Sequence, residues 1–300
     1  MARDRVLTLM VFVIILVSFL AVIINLPSTT LYSPFNSGDS GYSQLVAVLH
    51  AEIMGNVEDI PKDDCSNTAV IIPFNHLVGE TRTYSVLREL IAGGATLIIM
   101  DESGYSNTLL KYLGVDASVV NQVVLDEVAK LKDRNYPIIE VTVPVGGRTL
   151  EFTAFRPAHI LLHELANVSV LGTTSGYAYA DLDGSGYYSL GEVMKHYAVV
   201  ISQKVGNGTV ILISDLDAGS NALISEAGNE EFFKLLTAGR KVYFIVEGLS
   251  LEPLDEIKYV FSMMRIGTYY RSATMALAKF LILAAVFAVI YYAEGRGIKR

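Results

Sequence analysis

The chain has 300 residues, of which 52% are hydrophobic, and it carries a formal net charge of −8. The acidic balance excludes a protein that binds nucleic acid through a basic face, because such a face needs an excess of lysine and arginine. The single cysteine, Cys65, excludes an intrachain disulfide and a cysteine metal cluster.

Apolar residues are concentrated at the two ends of the chain. Residues 6–26 form an uncharged run that is long enough to cross roughly 30 Å of hydrocarbon. A second run, residues 273–293, is interrupted only by Lys279. The first run is longer than the core of a signal peptide and is followed by no small-x-small cleavage site. Both runs are therefore predicted to be uncleaved transmembrane helices.

The charges that flank these runs predict an orientation. Basic residues precede the first run and follow the second, and the positive-inside rule places such residues in the cytoplasm. We therefore expect a two-pass protein of the cell membrane, with cytoplasmic tails at residues 1–5 and 294–300. Residues 28–272 would form an extracytoplasmic domain. The basic residues are Arg3, Arg5, Arg296, Lys299 and Arg300.

The first half of this domain alternates helices and buried strands. A helix is predicted over Tyr42–Ile53 and a strand over Asn67–Phe74. The segment "TRTYSVLRELIAGG" predicts a helix that ends at its two glycines, and Ala95–Glu102 predicts a second buried strand. A short helix, "SNTLLKYLGV", follows. Strands alternating with helices at this spacing predict a parallel sheet.

The second half adds antiparallel elements. "PIIEVTVPVGGRTLEFTAF" alternates in period two about Gly146 and Gly147, which predicts a hairpin, and Pro144 indicates an edge strand. "HYAVVISQKVGNGTVILISD" predicts another hairpin, and "NEEFFKLLTAG", "KVYFIVE" and "LDEIKYVFSMMRI" predict a helix, a strand and a helix. The predicted fold is α/β, a mostly parallel sheet sandwiched by helices, with antiparallel hairpin additions and two flanking transmembrane helices.

Three segments resemble a known family. "SPFNSGDSGYSQLVAVL", "LRELIAGGATLIIMDESGYSNTLLKYLGV" and "VGNGTVILISDLDAGSNALI" are similar to the DUF4350 group, over about residues 33 to 250. These are membrane-anchored prokaryotic proteins with a domain like class I glutamine amidotransferases, so the resemblance implies a GATase1-like or flavodoxin-like sheet. Family members are often encoded near MoxR-type ATPases and DUF58 proteins, which implies membrane-protein partners. The resemblance implies no established activity.

The segment "DLDGSGYYSLGE" has the spacing of a twelve-residue calcium loop, with glycine at position six. Its flanks do not look helical, so we expect a lone loop rather than an EF-hand pair. Three carboxylates would give a weak structural site, with a Kd of roughly 10⁻⁴–10⁻³ M. The alternative is a turn that binds no ion. The predicted calcium ligands are Asp181, Asp183, Ser185, the Tyr187 carbonyl, Ser189 and Glu192.

Polar residues near the carboxyl ends of the predicted strands suggest a second site, because ligands bind at that edge of open α/β sheets. The ligand would be a sugar, an amine or a second cation. Helix capping is the alternative role for Asp217 and Asn107. The candidate pocket residues are Asn36, Asp101, Glu102, Asn107, Asp215, Asp217, Asn221 and Glu247.

Catalytic signatures are weak. Cys65 lies beside two carboxylates that disfavour its thiolate, and no nucleophile-elbow motif occurs, so the amidotransferase nucleophile is absent. His159 and His163 are four residues apart and could grip zinc if they lay on a helix. No third ligand is evident, and two ordinary histidines are the favoured interpretation.

We therefore predict a non-catalytic protein that binds a ligand or partner, as an accessory subunit of an envelope or transport assembly, with a structural calcium loop. One alternative is a hydrolase of envelope glycans that uses carboxylates among Asp101, Glu102, Asp215 and Glu247. Another is a transmembrane sensor. Asn167 and Asn207 begin sequons for glycosylation outside the membrane. The single cysteine, the lack of tryptophan and the few glutamines suggest a hot environment or an archaeal source.

Overall fold

A nine-stranded sheet forms the centre of the structure, a computed structural model that describes residues 11–12, 15, 26–76, 81–144, 146–163 and 167–270. The strand order is β1-β13-β2-β3-β12-β11-β9-β6-β7, and two smaller sheets pair β10 with β5 and β4 with β8. The strands are β1 Glu52–Met54, β2 Thr68–Pro73, β3 Thr96–Met100, β4 Ala117–Val120, β5 Val124–Asp126, β6 Ile138–Thr142, β7 Thr149–Thr153, β8 His159–Leu162, β9 Val168–Thr173, β10 Ala178–Ala180, β11 Ala198–Val205, β12 Gly208–Ile213 and β13 Lys241–Ile245.

The large sheet is mixed, so the prediction of a mostly parallel sheet sandwiched by helices is wrong. Strands β1, β13, β2, β3 and β12 run parallel to one another. From β12 onward, β11, β9, β6 and β7 pair antiparallel. The tight turn between β11 and β12 reverses the chain beside β3, so the predicted hairpins are integral to the sheet rather than additions to it.

The described helices that pack on the sheet are few and short. On one face of the sheet, α2 and α3 pack against alternate residues such as Val70 and Leu97. On the other face, α1 and α4 pack against the intervening residues, such as Ile71 and Ile98. Burial on both faces explains the continuous apolar sequences of β2 and β3. These helices are α1 Ser43–Val48, α2 Thr81–Ala92, α3 Asn107–Leu113 and α4 Asn229–Leu236.

Helix α2 ends where its two glycines predict. Gly94 has φ +101°, a left-handed conformation that an L side chain rarely adopts. A Cβ on Gly93 would lie 2.7 Å from the Cβ of Cys65. Cys65 is thus buried against the end of α2, and its role is packing.

The first predicted helix is shorter than expected. The prediction covered Tyr42–Ile53, whereas α1 ends at Val48 and residues Glu52–Met54 form β1. His50 has φ +50°, which breaks the helix. Strand β1 then pairs with β13, with Ile53 opposite Phe244. Pairing with a distant strand thus determines the structure of this segment.

A separate unit contains residues 1–27 and 253–300, and its described part includes the helix α5, Pro253–Tyr270. The runs predicted to span a membrane, residues 6–26 and 273–293, lie almost entirely outside the described residues. Across the described ranges, no helix is both long and apolar enough to cross a bilayer. We predicted a two-pass protein of the cell membrane with an extracytoplasmic main domain. The described structure does not support this prediction.

Candidate functional site

A cavity of about 310 Å³ opens beside the carboxyl ends of β3 and β12. Ligands bind at this edge of open α/β sheets, so the fold itself directs attention to the cavity. Acidic, aromatic, basic and small apolar side chains all contribute to its wall. The lining residues are Tyr32, Glu102, Ser103, Asn121, Val123, Phe155, Arg156, Ala158 and Asp217.

Asp215 lies beneath this cavity and is fully buried. Its Oδ2 accepts the amide hydrogen of Phe155 at 3.1 Å, and its Oδ1 accepts that of Asp217 at 3.2 Å. Burial raises the pKa of Asp215 well above its ordinary value, and the negative charges of Asp217 and Glu102 raise it further. Asp215 therefore positions the two backbone segments that form the cavity, and does not itself line it.

Glu102 and Asp217 face the cavity, and one carboxylate oxygen of each lies within 4.8 Å of the other and of Asp215. Burial raises the pKa of Glu102 to about 7, although a hydrogen bond from the Leu216 amide opposes the shift. Burial also raises the pKa of Asp217 to about 6, and the Tyr32 hydroxyl opposes that shift. Near neutral pH the two carboxyls hold protons part of the time, so each can both donate and accept hydrogen bonds.

Tyr32, Phe155 and Arg156 also line the cavity. The Tyr32 hydroxyl donates to Asp217 Oδ2 at 3.4 Å. The ring of Phe155 packs against that of Tyr136, with centroids 4.8 Å apart. Arg156 is exposed and has φ +50°. These residues could not be predicted from the sequence, because they follow no motif and lie far from Glu102 and Asp217 along the chain.

Two other candidate pocket residues hold backbone in place. Asp101 is fully buried, and its carboxylate accepts hydrogen bonds from the amides of Ser103, Gly104 and Ser106 at 2.7–2.9 Å. The Asn107 side chain donates to the Val119 carbonyl at 2.9 Å and accepts the Val119 amide at 2.8 Å. These bonds fix the turn after β3 and the start of β4.

The last three candidates also lie outside the cavity lining. Asn221 donates to the backbone carbonyl of Asn36 at 3.0 Å and accepts from the Gln44 amide at 2.9 Å. Asn36 donates to the Thr30 carbonyl at 2.9 Å. Glu247 accepts from the Thr83 hydroxyl at 2.5 Å. Of the eight residues predicted, the structure brings Glu102, Asp215 and Asp217 together.

The predicted calcium loop curls back on itself. Glu192 closes it, because its carboxylate accepts the Leu182 amide at 2.9 Å and the Ser189 amide at 2.8 Å. Asp181 Oδ2 accepts the Gly186 amide at 3.0 Å. The loop lies between β10 and the segment before β11, and neither flank is helical, as the sequence predicted.

Hydroxyl groups join the acidic residues within this loop. The Ser189 hydroxyl donates to Asp183 Oδ2 at 2.7 Å, and the Ser185 hydroxyl donates to the Tyr187 carbonyl at 2.9 Å. One oxygen each of Asp181, Asp183 and Glu192 lie within 4.8 Å of one another. All six predicted ligand residues are thus part of one connected loop.

The histidine pair does not lie on the helix that would let His159 and His163 share a zinc ion. His159 begins strand β8, and His163 directly follows its last residue. Strand β8 pairs antiparallel with β4, so the two side chains are not one helical turn apart. In the described part of the chain, neither belongs to a cluster that could hold a metal ion.

The two sequon asparagines are both exposed. Asn207 lies in the turn between β11 and β12 and donates to the Ala92 carbonyl at 2.9 Å. Asn167 precedes β9 and donates to Asp116 at 3.1 Å. Glycosylation of either residue stays a prediction.

The family profile described as "Domain of unknown function (DUF4350)" matches residues 34–236. The chain belongs to this family. No curated protein matches the chain. The similarity to DUF4350 confirms the family predicted from the sequence, while membrane anchoring and the likeness to amidotransferase domains are not confirmed.

This DUF4350 chain is also similar to parts of several solved structures. The "mmIFT52 N-terminal domain" is 15% identical, with a TM-score of 0.41, over 57% of this chain and 77% of that one. Cytoplasmic Protein STM1381 from Salmonella typhimurium LT2 is 14% identical, with a TM-score of 0.36, over 67% and 88%. A β-galactosidase from Bacillus circulans sp. alkalophilus is 17% identical, with a TM-score of 0.30, and the match covers 55% of this chain and 22% of that one. These likenesses are too distant to indicate a function.

Proposed function

We propose that this protein binds a small, neutral, polyhydroxylated ligand of the sugar class in the cavity between Tyr32, Glu102, Arg156 and Asp217, without converting it chemically. The observation that carries the proposal is the combination of hydrogen-bonding groups in one cavity of about 310 Å³. Cavities of roughly 300 Å³ and above hold small ligands.

A hydroxyl group both donates and accepts hydrogen bonds, and this cavity offers partners for both directions. Arg156 can only donate, an ionised carboxylate can only accept, and Tyr32, Ser103 and Asn121 can do both. Glu102 and Asp217 can also do both, since their raised pKa values of about 7 and about 6 allow protonation near neutral pH. Phe155 and Val123 add apolar surface for the carbon skeleton of the ligand.

The same composition favours a neutral ligand over an amine or a metal ion. A cation would gain from Glu102 and Asp217 only when they are ionised, and their raised pKa values leave them partly protonated near neutral pH. Asp215 adds a third carboxyl beneath them, yet it already accepts two backbone amides and is fully buried. A neutral hydroxylated ligand can hydrogen-bond to these carboxyls in either protonation state.

A titration with defined probes tests this proposal. The purified full-length protein would be titrated with a panel of neutral monosaccharides and disaccharides, with ethylamine and with MgCl₂, by calorimetry or ligand-observed NMR. We expect saturable binding of at least one sugar, which Asp217→Asn and Glu102→Gln weaken about tenfold or more. Glu140→Gln is the control, because Glu140 is exposed on β6 and the substitution changes the net charge equally. Saturable binding of ethylamine or Mg²⁺ alone would contradict the proposal.

A glycoside hydrolase is the second candidate, and one observation favours it. Glu102, with a pKa raised to about 7, lies within 4.8 Å of Asp217, whose pKa is about 6. An acid and a neighbouring carboxylate are the groups that glycosidic hydrolysis needs, and a short separation fits the retaining mechanism. Asp101, Asp215 and Glu247, the other residues predicted for this role, lie outside the cavity lining, and Asp217 takes the place of the second carboxylate. Release of nitrophenol from aryl glycosides by wild type, but not by Glu102→Gln, would establish this alternative.

A further inference from the structure

We propose that residues 181–192, the calcium loop, bind one calcium ion. This site is distinct from the cavity of the proposed function, and neither proposal depends on the other. The loop has the ligand spacing and also a structural feature that the spacing alone does not give, namely a buried carboxylate oxygen that lacks a partner.

Asp181 carries this feature. The residue is 7% exposed, and its Oδ1 is buried without a hydrogen-bond partner. The other oxygen, Oδ2, accepts the Gly186 amide from across the loop, so the carboxylate faces the loop interior. A carboxylate oxygen removed from water without a partner is unfavourable unless a cation compensates it. Asp181 is position one of the calcium pattern, where a ligand oxygen is required.

The other ligand oxygens already converge on the same place. Oxygens of Asp183 and Glu192 lie within 4.8 Å of an Asp181 oxygen and of each other. The hydroxyls of Ser185 and Ser189 lie 3.4 Å apart, and each is within hydrogen-bond range of the Tyr187 carbonyl. These would-be ligands bond to one another, and a bound ion would replace those bonds with coordination.

The chemistry of the donor set selects calcium. Every donor is a hard oxygen. This disfavours zinc and copper, which prefer nitrogen and sulfur ligands. Calcium accepts six to eight oxygens in a flexible geometry, whereas magnesium demands a near-ideal octahedron and retains its waters. Gly186, at position six, has φ +73°, as the sharp turn of a calcium loop requires. Three carboxylates supply the charge.

A bound ion would also stiffen the neighbouring sheet. The Asp181 amide donates to the Val123 carbonyl at 2.8 Å, just before β5. The guanidinium of Arg134 lies 4.2 Å from the centre of the Tyr187 ring and donates to the Gly186 carbonyl at 3.2 Å. The calcium loop is therefore attached to the start of β5 through Val123 and to the segment after β5 through Arg134, so an ion that fixes the loop would also restrain these segments.

Equilibrium dialysis of the full-length protein against radioactive calcium tests the proposal. We expect one ion per chain, with a Kd of roughly 10⁻⁴–10⁻³ M, and at least a tenfold weaker affinity in Asp181→Asn and Glu192→Gln. Asp183→Asn removes a predicted ligand at an exposed position. This variant therefore tests calcium binding even if the two buried substitutions impair folding. Terbium offers a second readout. The chain has no tryptophan, so tyrosines such as Tyr187 would sensitise its luminescence, and calcium should quench the signal competitively.

Two matched variants separate this site from others. Glu140→Gln changes the net charge equally and should bind calcium as wild type does. Asp217→Asn alters the acidic cluster of the cavity and should also leave calcium binding unchanged. Wild type that takes up no calcium at millimolar concentration would overturn the proposal. Loss of binding in Asp217→Asn, with full binding in Asp183→Asn, would equally overturn it by placing the ion in the cavity.

Discussion

The Tyr32 hydroxyl donates a hydrogen bond to Asp217 Oδ2 at 3.4 Å, across 185 residues of sequence. Asp217 follows β12, whereas Tyr32 lies before α1, so this bond joins the start of the main unit to the carboxyl edge of its sheet. The ring of Tyr32 also packs edge-on against Tyr42, with centroids 5.5 Å apart. An aromatic contact and a charged hydrogen bond thus hold the same wall of the cavity.

Replacing Tyr32 by phenylalanine should raise the pKa of Asp217 above about 6, because the hydroxyl bond favours the ionised form and opposes the effect of burial. At pH 8 the unfolding free energy should fall by about 1 kcal/mol through loss of a hydrogen bond to a charged group. Carboxyl-carbon NMR titration and urea unfolding measure the two effects. Tyr177→Phe is the control, since Tyr177 is 59% exposed. An unchanged Asp217 pKa in Tyr32→Phe would contradict the expectation.

The cavity carboxyls should make the protein less stable as pH rises. Burial raises the pKa of Glu102 to about 7 and that of Asp217 to about 6. The folded state therefore binds more protons than the unfolded state between about pH 4 and pH 7. The stability that these groups contribute is complete below pH 4 and is lost as pH rises through 7. We expect a loss of roughly 2–4 kcal/mol over this window, in urea unfolding at half-unit pH steps.

Asp217→Asn tests the cause of this pH dependence. The substitution removes a negative charge that raises the pKa values of both Glu102 and Asp215. The stability of the variant should change less between pH 4 and pH 7, and at pH 8 the variant should equal or exceed wild type. Glu140→Gln should follow the wild-type curve. A variant profile parallel to that of wild type would assign the effect to other groups.

Backbone strain at Arg156 should invert the usual order of alanine and glycine. With φ +50°, a non-glycine residue there costs about 1–2 kcal/mol. Arg156→Gly relieves this strain and Arg156→Ala retains it, so the glycine variant should be the more stable of the two by about 1 kcal/mol. At Arg148, outside the positive-φ positions, the alanine variant should be the more stable. Thermal and urea unfolding of the four variants would show whether the order reverses only at Arg156. Both Arg156 variants should lose sugar affinity.

Calcium should raise the melting temperature of the full-length protein. At 10–100 times the Kd, a ligand that binds only the folded state contributes about 1.4–2.7 kcal/mol. For a domain of this size that corresponds to a shift of roughly 3–10 °C. Asp183→Asn should show a much smaller shift, while magnesium at equal concentration should stabilise wild type less. Equal shifts for calcium and magnesium in both proteins would indicate a general salt effect.

Local patterns in the sequence predicted most helices and strands well. The predicted helix over "TRTYSVLRELIAGG" corresponds to α2, and both glycine-centred hairpins form at the predicted turns. Strands β2, β3 and β13 lie within the predicted apolar runs. These features depend on neighbours in the chain, such as the left-handed glycine that ends α2. Short-range information was sufficient for them.

Pairing between strands that are distant in the sequence could not be predicted from local patterns. Strand β9, "VSVLGT", was not predicted, yet it joins β11 to β6 inside the large sheet. The mixed character of the sheet follows from such pairings and not from any local pattern. The short strands β4, β5, β8 and β10 were missed for the same reason.

In the candidate sites, too, residues in local sequence patterns were predicted and residues brought together by the tertiary fold were not. The calcium loop was found because its ligands are close in sequence, although its occupancy stays a prediction. Glu102, Asp215 and Asp217 were found because they follow strands. Tyr32, Phe155 and Arg156 were missed, since only the tertiary fold brings them to the cavity. The archaeal source and the partner proteins related to MoxR and DUF58 also stay predictions.

Val123 connects the cavity to the calcium loop. It lines the cavity, and its carbonyl accepts the amide of Asp181, the first residue of the calcium loop. Thermodynamic linkage makes any coupling between two such sites reciprocal. If calcium raises the affinity for the cavity ligand by some factor, that ligand must raise the affinity for calcium by the same factor. Retention of the cavity ligand would then depend on the calcium concentration, because a weak calcium site is only partly occupied.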